Sequence, residues 1–69
     1  MLDVRLWRVR RRGRWIDATL DRSGGLWRVT FTLNGRSLPA SEFETEEEAR
    51  DAARARLREF ERAGWTEHW

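Results

Sequence analysis

The sequence predicts an α+β fold: a three- to four-stranded antiparallel β-meander followed by one C-terminal amphipathic α-helix packed on one face of the sheet. Three observations carry that prediction. In the stretch 26–33, Trp27, Val29, Phe31 and Leu33 alternate with Arg28, Thr30 and Thr32, the period-two pattern of a strand with one buried and one solvated face. Asn34-Gly35 follows at once, and this dipeptide is the strongest short-range hairpin signal, because a type I′ turn needs two residues that tolerate positive φ. Thr45 stands three residues before Glu48, the spacing of a reciprocal capping box. Behind it Ala49, Ala52, Ala53, Leu57 and Phe60 fall on one helical stripe.

Each element follows in order. Leu2, Val4 and Leu6 alternate with Asp3, Arg5 and Trp7, which places a first strand over about residues 2–10. Its phase is open, since Trp7 and Val9 form an equally good inward set. Arg10-Arg11-Arg12-Gly13-Arg14 is a turn. A second strand spans about 14–21, with Ile16, Ala18 and Leu20 on one face and Trp15, Asp17 and Thr19 on the other. Arg22-Ser23-Gly24-Gly25 closes the next hairpin onto the strand 26–33. A fourth extended segment covers 36–43, and Pro39 makes it an edge or a bulged strand because proline donates no ladder hydrogen bond. The helix runs over about 46–63, with Glu46, Glu47 and Glu48 opposing the positive end of its dipole and Gly64 as a left-handed stop. Residues 64–69 form an aromatic tail in which Trp65 and Trp69 fold back over the end of the core.

Sixty-nine residues make one small domain, of a size that buries only about 60% of its extended surface. With no cysteine to staple it, the core has to come from large side chains, and five Trp and three Phe supply them. The absence of cysteine fits a reducing compartment. No apolar run approaches the roughly 20 residues that cross a bilayer, and the arginine-rich start lacks the apolar centre of a signal peptide. The expectation is a cytoplasmic protein and a complete small gene product.

Enzymatic chemistry is not expected. One His, no Cys, no Tyr and no Lys leave no Cys–His pair, Schiff-base lysine or multi-His metal site to build. No cofactor or metal is implied, and the glycines read as hairpin turns rather than a phosphate loop ahead of a helix.

Charge is the stronger lead. All 14 basic residues are arginine. Residues 1–36 carry nine of them against three Asp, a net of +6, whereas residues 37–69 carry five against nine acids, a net of −4. Such asymmetry suits an anionic partner near the N-terminal half, or self-pairing of opposite faces in a homodimer. Arg8, Arg10, Arg11, Arg12 and Arg14 form the densest block, on a hairpin that can straddle a phosphate backbone. If Trp27, Val29, Phe31 and Leu33 face the helix, the opposite sheet face shows Arg5, Trp7, Trp15, Asp17, Thr19, Arg28, Thr30 and Thr32. Guanidinium groups among indoles can grip phosphates and stack on bases. The alternative is a solvated face on which arginine stems cover indole rings. On the helix, Arg50, Arg54, Arg58 and Arg62 lie three or four residues from Glu46, Asp51, Glu59 and Glu61, which reads as a salt-bridged solvent face. The acidic cluster of Glu42, Glu44, Glu46, Glu47 and Glu48 is read as capping and dipole compensation, or as a mimic of nucleic-acid phosphates.

Taken together, residues 14–60 resemble the AP2-like DNA-binding domains of plant transcription factors and of phage and transposon integrase N-termini. The likeness rests on Gly25-Leu26-Trp27-Arg28-Val29-Thr30-Phe31, on Asn34-Gly35-Arg36, and on the run from Phe43 through Thr45-Glu46-Glu47-Glu48-Ala49 to Ala53. Gly13-Arg14-Trp15 is similar to the glycine-basic-tryptophan entry to one of that family's strands. In that family the sheet face away from the helix lies in the DNA major groove. The resemblance therefore implies contacts from Arg28, Thr30 and Thr32 on the central strand and from Arg14 and Trp15 on its neighbour.

The leading expectation is a small non-enzymatic protein that binds duplex DNA. Arg8, Arg10, Arg11, Arg12 and Arg14 neutralise phosphates in that reading, while Trp15, Arg28 and Thr30 approach the groove. The competing expectation is a stand-alone protein-binding inhibitor, such as a phage-encoded anti-defence (anti-CRISPR-like) protein. Its contacts come from exposed aromatics, with Trp7, Trp65 and Trp69 as the interface candidates.

Overall fold

The computed structural model describes residues 4–67. Three long strands lead the chain: β1 (Val4–Arg11), β2 (Arg14–Ser23) and β3 (Leu26–Leu33). Two short strands, β4 (Arg36–Ser37) and β5 (Ser41–Phe43), precede the helix α1 (Glu46–Arg62), and β6 (Thr66–Glu67) follows it. All pairings are antiparallel, in the order β4-β3-β2-β1-β6, with β5 also pairing β3. The helix packs on one face, as the sequence predicts.

The meander is produced by three two-residue turns. Arg11 pairs with Arg14, Ser23 with Leu26 and Leu33 with Arg36. Both central residues have positive φ in Arg12-Gly13 (51° and 77°) and in Asn34-Gly35 (52° and 85°), the backbone of a type I′ turn whose twist matches the flanking strands. Asn34 also donates its N–H to the Trp15 carbonyl and accepts from the Trp15 N–H through Oδ1, both at 2.9 Å.

The predicted fourth strand is split. β4 and β5 both pair with β3 on either side of the exposed segment 38–40, and the Leu38 N–H donates to the Phe31 carbonyl between them. Pro39 at the break is the interruption expected of a residue without an N–H.

The first strand carries a correction. Trp7 does not lie on the outer face; it is 3% exposed and belongs to the core. The register slips between Arg5 and Trp7, so Val4 lies opposite Leu20 and Arg5 opposite Thr19 on one side of the slip, while Trp7 faces Ala18 and Val9 faces Ile16 on the other. A β-bulge of this kind reverses the alternation. Val4, opposite Leu20 but 46% exposed, keeps the first apolar phase before the bulge, Trp7 and Val9 follow the second after it, and Leu2 lies outside the described residues.

Two clusters make the core. Trp7, Val9, Ile16 and Ala18 pack with Leu33, Leu57, Phe60 and Trp65; Leu20, Val29, Ala49 and Ala53 pack with Trp27 and Phe43. Leu6 and Phe31 touch both. Ala49 and Ala53 are buried, and their small side chains bring the helix backbone close enough for the Trp7 indole to donate to the Ala53 carbonyl at 2.9 Å.

Both helix ends are closed as the sequence predicts. Thr45 Oγ1 accepts from the Glu48 N–H at 3.1 Å while Glu48 Oε1 accepts from the Thr45 N–H at 3.2 Å. At the other end Gly64 has φ 100°, its N–H donates to the Glu61 carbonyl, and the Trp65 N–H donates to the Phe60 carbonyl. This is a Schellman arrangement, and its usual hydrophobic contact is the edge-on packing of Trp65 against Phe60 at 5.9 Å. The tail does more than close the core, because Glu67 and Thr66 pair with Val9 and Arg10 as an added strand. Among the described residues no helix is long and apolar enough to cross a membrane.

Candidate nucleic-acid interface

Strand pairing fixes which side chains share the face away from the helix. Arg5, Thr19 and Thr30 form one row, Arg8, Asp17, Thr32 and Ser37 a second, Asp21, Arg28 and Glu42 a third, and Arg10 lies beside Trp15. Trp15, Arg28 and Thr30 are thus on the predicted face, and Arg8 and Arg10 occupy it where Trp7 was expected. Trp15 is 39% exposed.

Much of this face is internally neutralised. Asp21 accepts from Arg28 Nη2 at 2.8 Å and from Arg28 Nε at 3.2 Å, the two-pronged geometry that guanidinium and carboxylate share. The hydrogen bond from Arg28 holds the Asp21 carboxyl below its ordinary range, against a smaller opposing effect of burial. Asp17 accepts from Arg8 Nε and, at 3.3 Å, from Arg8 Nη2, and Arg5 Nε stands 3.9 Å from the same carboxylate. The Asp17 hydrogen bond raises the Arg8 pKa further above its already high value. Thr30 is half-buried, and its carbonyl accepts from Thr19 Oγ1 at 3.3 Å. Arg8 and Arg28 therefore present charge that a carboxylate already engages, which lowers what an incoming phosphate gains from them.

The end of the sheet is different. The turns Arg12-Gly13 and Asn34-Gly35 lie at the same end, because β1 and β3 run in the same direction. Arg10, Arg11, Arg12, Arg14 and Arg36 gather there, all exposed. Among the described residues none of the five forms an ion pair. Arg36 belongs to this group and sequence reasoning missed it; a two-residue turn at Asn34-Gly35 was the signal that could have placed it opposite Leu33.

Arg11, Arg12 and Arg14 also line, with Trp65, a concavity of about 260 Å³ between the hairpin and the end of the helix. Trp65 is half-buried, so of the three interface candidates Trp7 is in the core, Trp65 borders this concavity, and Trp69 lies outside the described residues.

Acidic residues occupy the opposite end. Glu42, Glu44, Glu47 and Glu48 are exposed around β5 and the start of the helix, while Glu46 pairs with Arg50 at 2.8 Å. The helix surface continues with an Arg54–Asp51 pair at 2.8 Å, as its spacing predicts. Glu59 pairs instead with Arg56 at 3.1 Å rather than with the expected stripe, and Arg58 and Arg62 form no ion pair among the described residues. The molecule measures 37 × 21 × 20 Å, and a ten-residue strand spans about 33 Å, so the two charged ends are separated along its long axis. Among the described residues no cluster of His, Asp or Glu is arranged to hold a metal ion.

Comparisons with known protein families, with curated protein sequences and with solved structures give no match.

Proposed function

We propose that this protein binds DNA, and that it does so with the arginine-bearing end of the sheet rather than with the centre of the outer face. The observation that carries this reading is the group of five exposed arginines, Arg10, Arg11, Arg12, Arg14 and Arg36, without a carboxylate partner among the described residues. Guanidinium groups already facing solvent exchange water and counterions for phosphate without breaking an ion pair. Trp15 beside Arg10 adds an aromatic surface next to the cations. The resemblance of residues 14–60 to AP2-like domains supports the same partner, with Arg28 and Thr30 contributing once the pairs on the face reorganise.

Fluorescence anisotropy with a labelled mixed-sequence duplex, repeated over a salt series, tests this. If all five arginines reach phosphates, log K falls with log[salt] at a slope of about −4.5, or roughly 500-fold between 50 and 200 mM salt. Changing Arg11, Arg12 and Arg14 together to alanine is expected to flatten the slope by about 2 if they share one phosphate group and by about 3 if each meets its own. An unchanged slope assigns binding elsewhere. No binding at low salt removes the proposal and directs attention to a protein target, as for an inhibitor that blocks a partner surface.

A further inference from the structure

The two turns at the basic end have the same backbone and different residues. Asn34 holds the first central position of one, with φ 52°, and Arg12 holds it in the other, with φ 51°. Asparagine enters the left-handed region readily because its short polar side chain bonds locally, whereas arginine is penalised there. Asn34 makes such a bond, to the Trp15 N–H. The chain thus uses the favoured residue at one turn and a strained arginine at its neighbour, and strain of this kind marks positions retained for something other than stability.

The surroundings of Arg12 indicate what that is. Arg11 and Arg14 are directly opposite each other at the end of the hairpin, on the helix side of the sheet, since the adjoining pair of Arg10 and Trp15 faces outward. Trp65 meets them from the far end of the chain, held by its N–H bond to Phe60 and by packing on the Phe60 ring. Arg11 lies over Gly64, its Nε 3.6 Å from where a Cβ on that residue would sit. Three arginines and one tryptophan therefore line a single concavity, from segments that the Schellman turn and the β1–β6 pairing help bring together.

We propose that this concavity receives the terminal phosphate of a DNA strand, with the last nucleotide against Trp65. The inference rests on the DNA-binding reading and specifies the part of DNA that the tip engages. Three cations around one small site exceed what a single backbone diester needs, whereas a terminal monoester carries a charge of about −2 and three acceptor oxygens. An indole beside it offers the π face on which a terminal base or sugar rests. The concavity, about 260 Å³ in volume, lies near the roughly 300 Å³ at which pockets for small ligands begin, a size that suits a terminal phosphate and its nucleotide.

The test titrates the full chain, at low salt, into three labelled duplexes of one sequence, ending in 5′-phosphate, in 3′-phosphate, or in hydroxyl groups only. A phosphorylated end is expected to bind roughly ten-fold more tightly than the hydroxyl end, about 1.4 kcal/mol, and the two phosphorylated probes identify which end is read. Arg12→Asn is expected to raise the melting temperature, because asparagine suits the turn, and to erase the preference. Equal binding of all three probes overturns the terminal-phosphate inference while leaving DNA binding intact; binding of none removes both. An Arg12→Asn variant that melts higher yet keeps the preference overturns the role assigned to the strained tip.

Discussion

The indole Nε1 of Trp7 donates to the main-chain carbonyl of Ala53 at 2.9 Å, joining residues 46 positions apart within the core. The contact couples the bulged first strand to the middle of the helix. It also gives a buried tryptophan the hydrogen bond that its N–H requires.

Trp7→Phe is expected to cost about 1–2 kcal/mol from the lost hydrogen bond and the smaller ring. Trp7→Ala is expected to cost about 3–5 kcal/mol, enough to unfold most of a marginal small domain. Urea denaturation of the two variants checks both values, and a Phe variant as stable as the parent would show that the bond adds nothing net.

Thr45→Ala removes the acceptor for the Glu48 N–H. A loss of about 1 kcal/mol is expected, which lowers Tm by about 4–8 °C in a domain of this size. Glu48→Ala, which leaves the Thr45 hydroxyl in place, is expected to cost less.

These two sites show which parts of the fold were legible. The capping box, the alanine stripe and the Asn34-Gly35 turn are local patterns, set by residues within a few positions of one another, and each appears where its spacing places it. The orientation of Trp7 was not legible, because the bulge between Arg5 and Trp7 joins two apolar phases that alternation alone cannot rank. β6 escaped notice because Thr66-Glu67 is too short to carry a period. The ion pairs were within reach. Reading Arg12-Gly13 and Gly24-Gly25 as two-residue turns fixes the register and sets Arg8 opposite Asp17 and Asp21 opposite Arg28, which moves the open arginines from the sheet face to its end.

Gly64→Ala is expected to cost about 1–2 kcal/mol, the penalty of a Cβ in the left-handed region. Space is not the cause: the nearest atoms to the added carbon belong to the Arg11 side chain at 3.6 and 3.8 Å, an ordinary contact. Trp65 depends on the same turn, so tryptophan emission measured alongside thermal melting should change before the helix signal does.

The Asp21–Arg28 pair predicts a pH dependence with a definite sign. The folded carboxyl has its pKa lowered from 3.8, chiefly by the hydrogen bond from Arg28. Its contribution is therefore complete above the ordinary carboxylate range and disappears as the pH falls through the lowered folded value. The pair is partly exposed, with side-chain accessibilities of 38% and 19% for Arg28 and Asp21, so the contribution is expected to stay below about 1 kcal/mol. Denaturant midpoints followed from pH 7 into acid should fall less steeply for Asp21→Asn than for the parent.

The three two-residue turns have a kinetic consequence. Each of β2 and β3 can zip onto the strand before it from a turn only two residues long, so the central sheet assembles without closing a long loop, the expensive step for β-structure. The late events are those that bring the two ends of the chain together: the docking of the helix on Trp7 and the pairing of β6 with β1. Substitutions in the β2–β3 hairpin should accordingly slow folding, whereas those at Ala53 or Thr66 should mainly hasten unfolding.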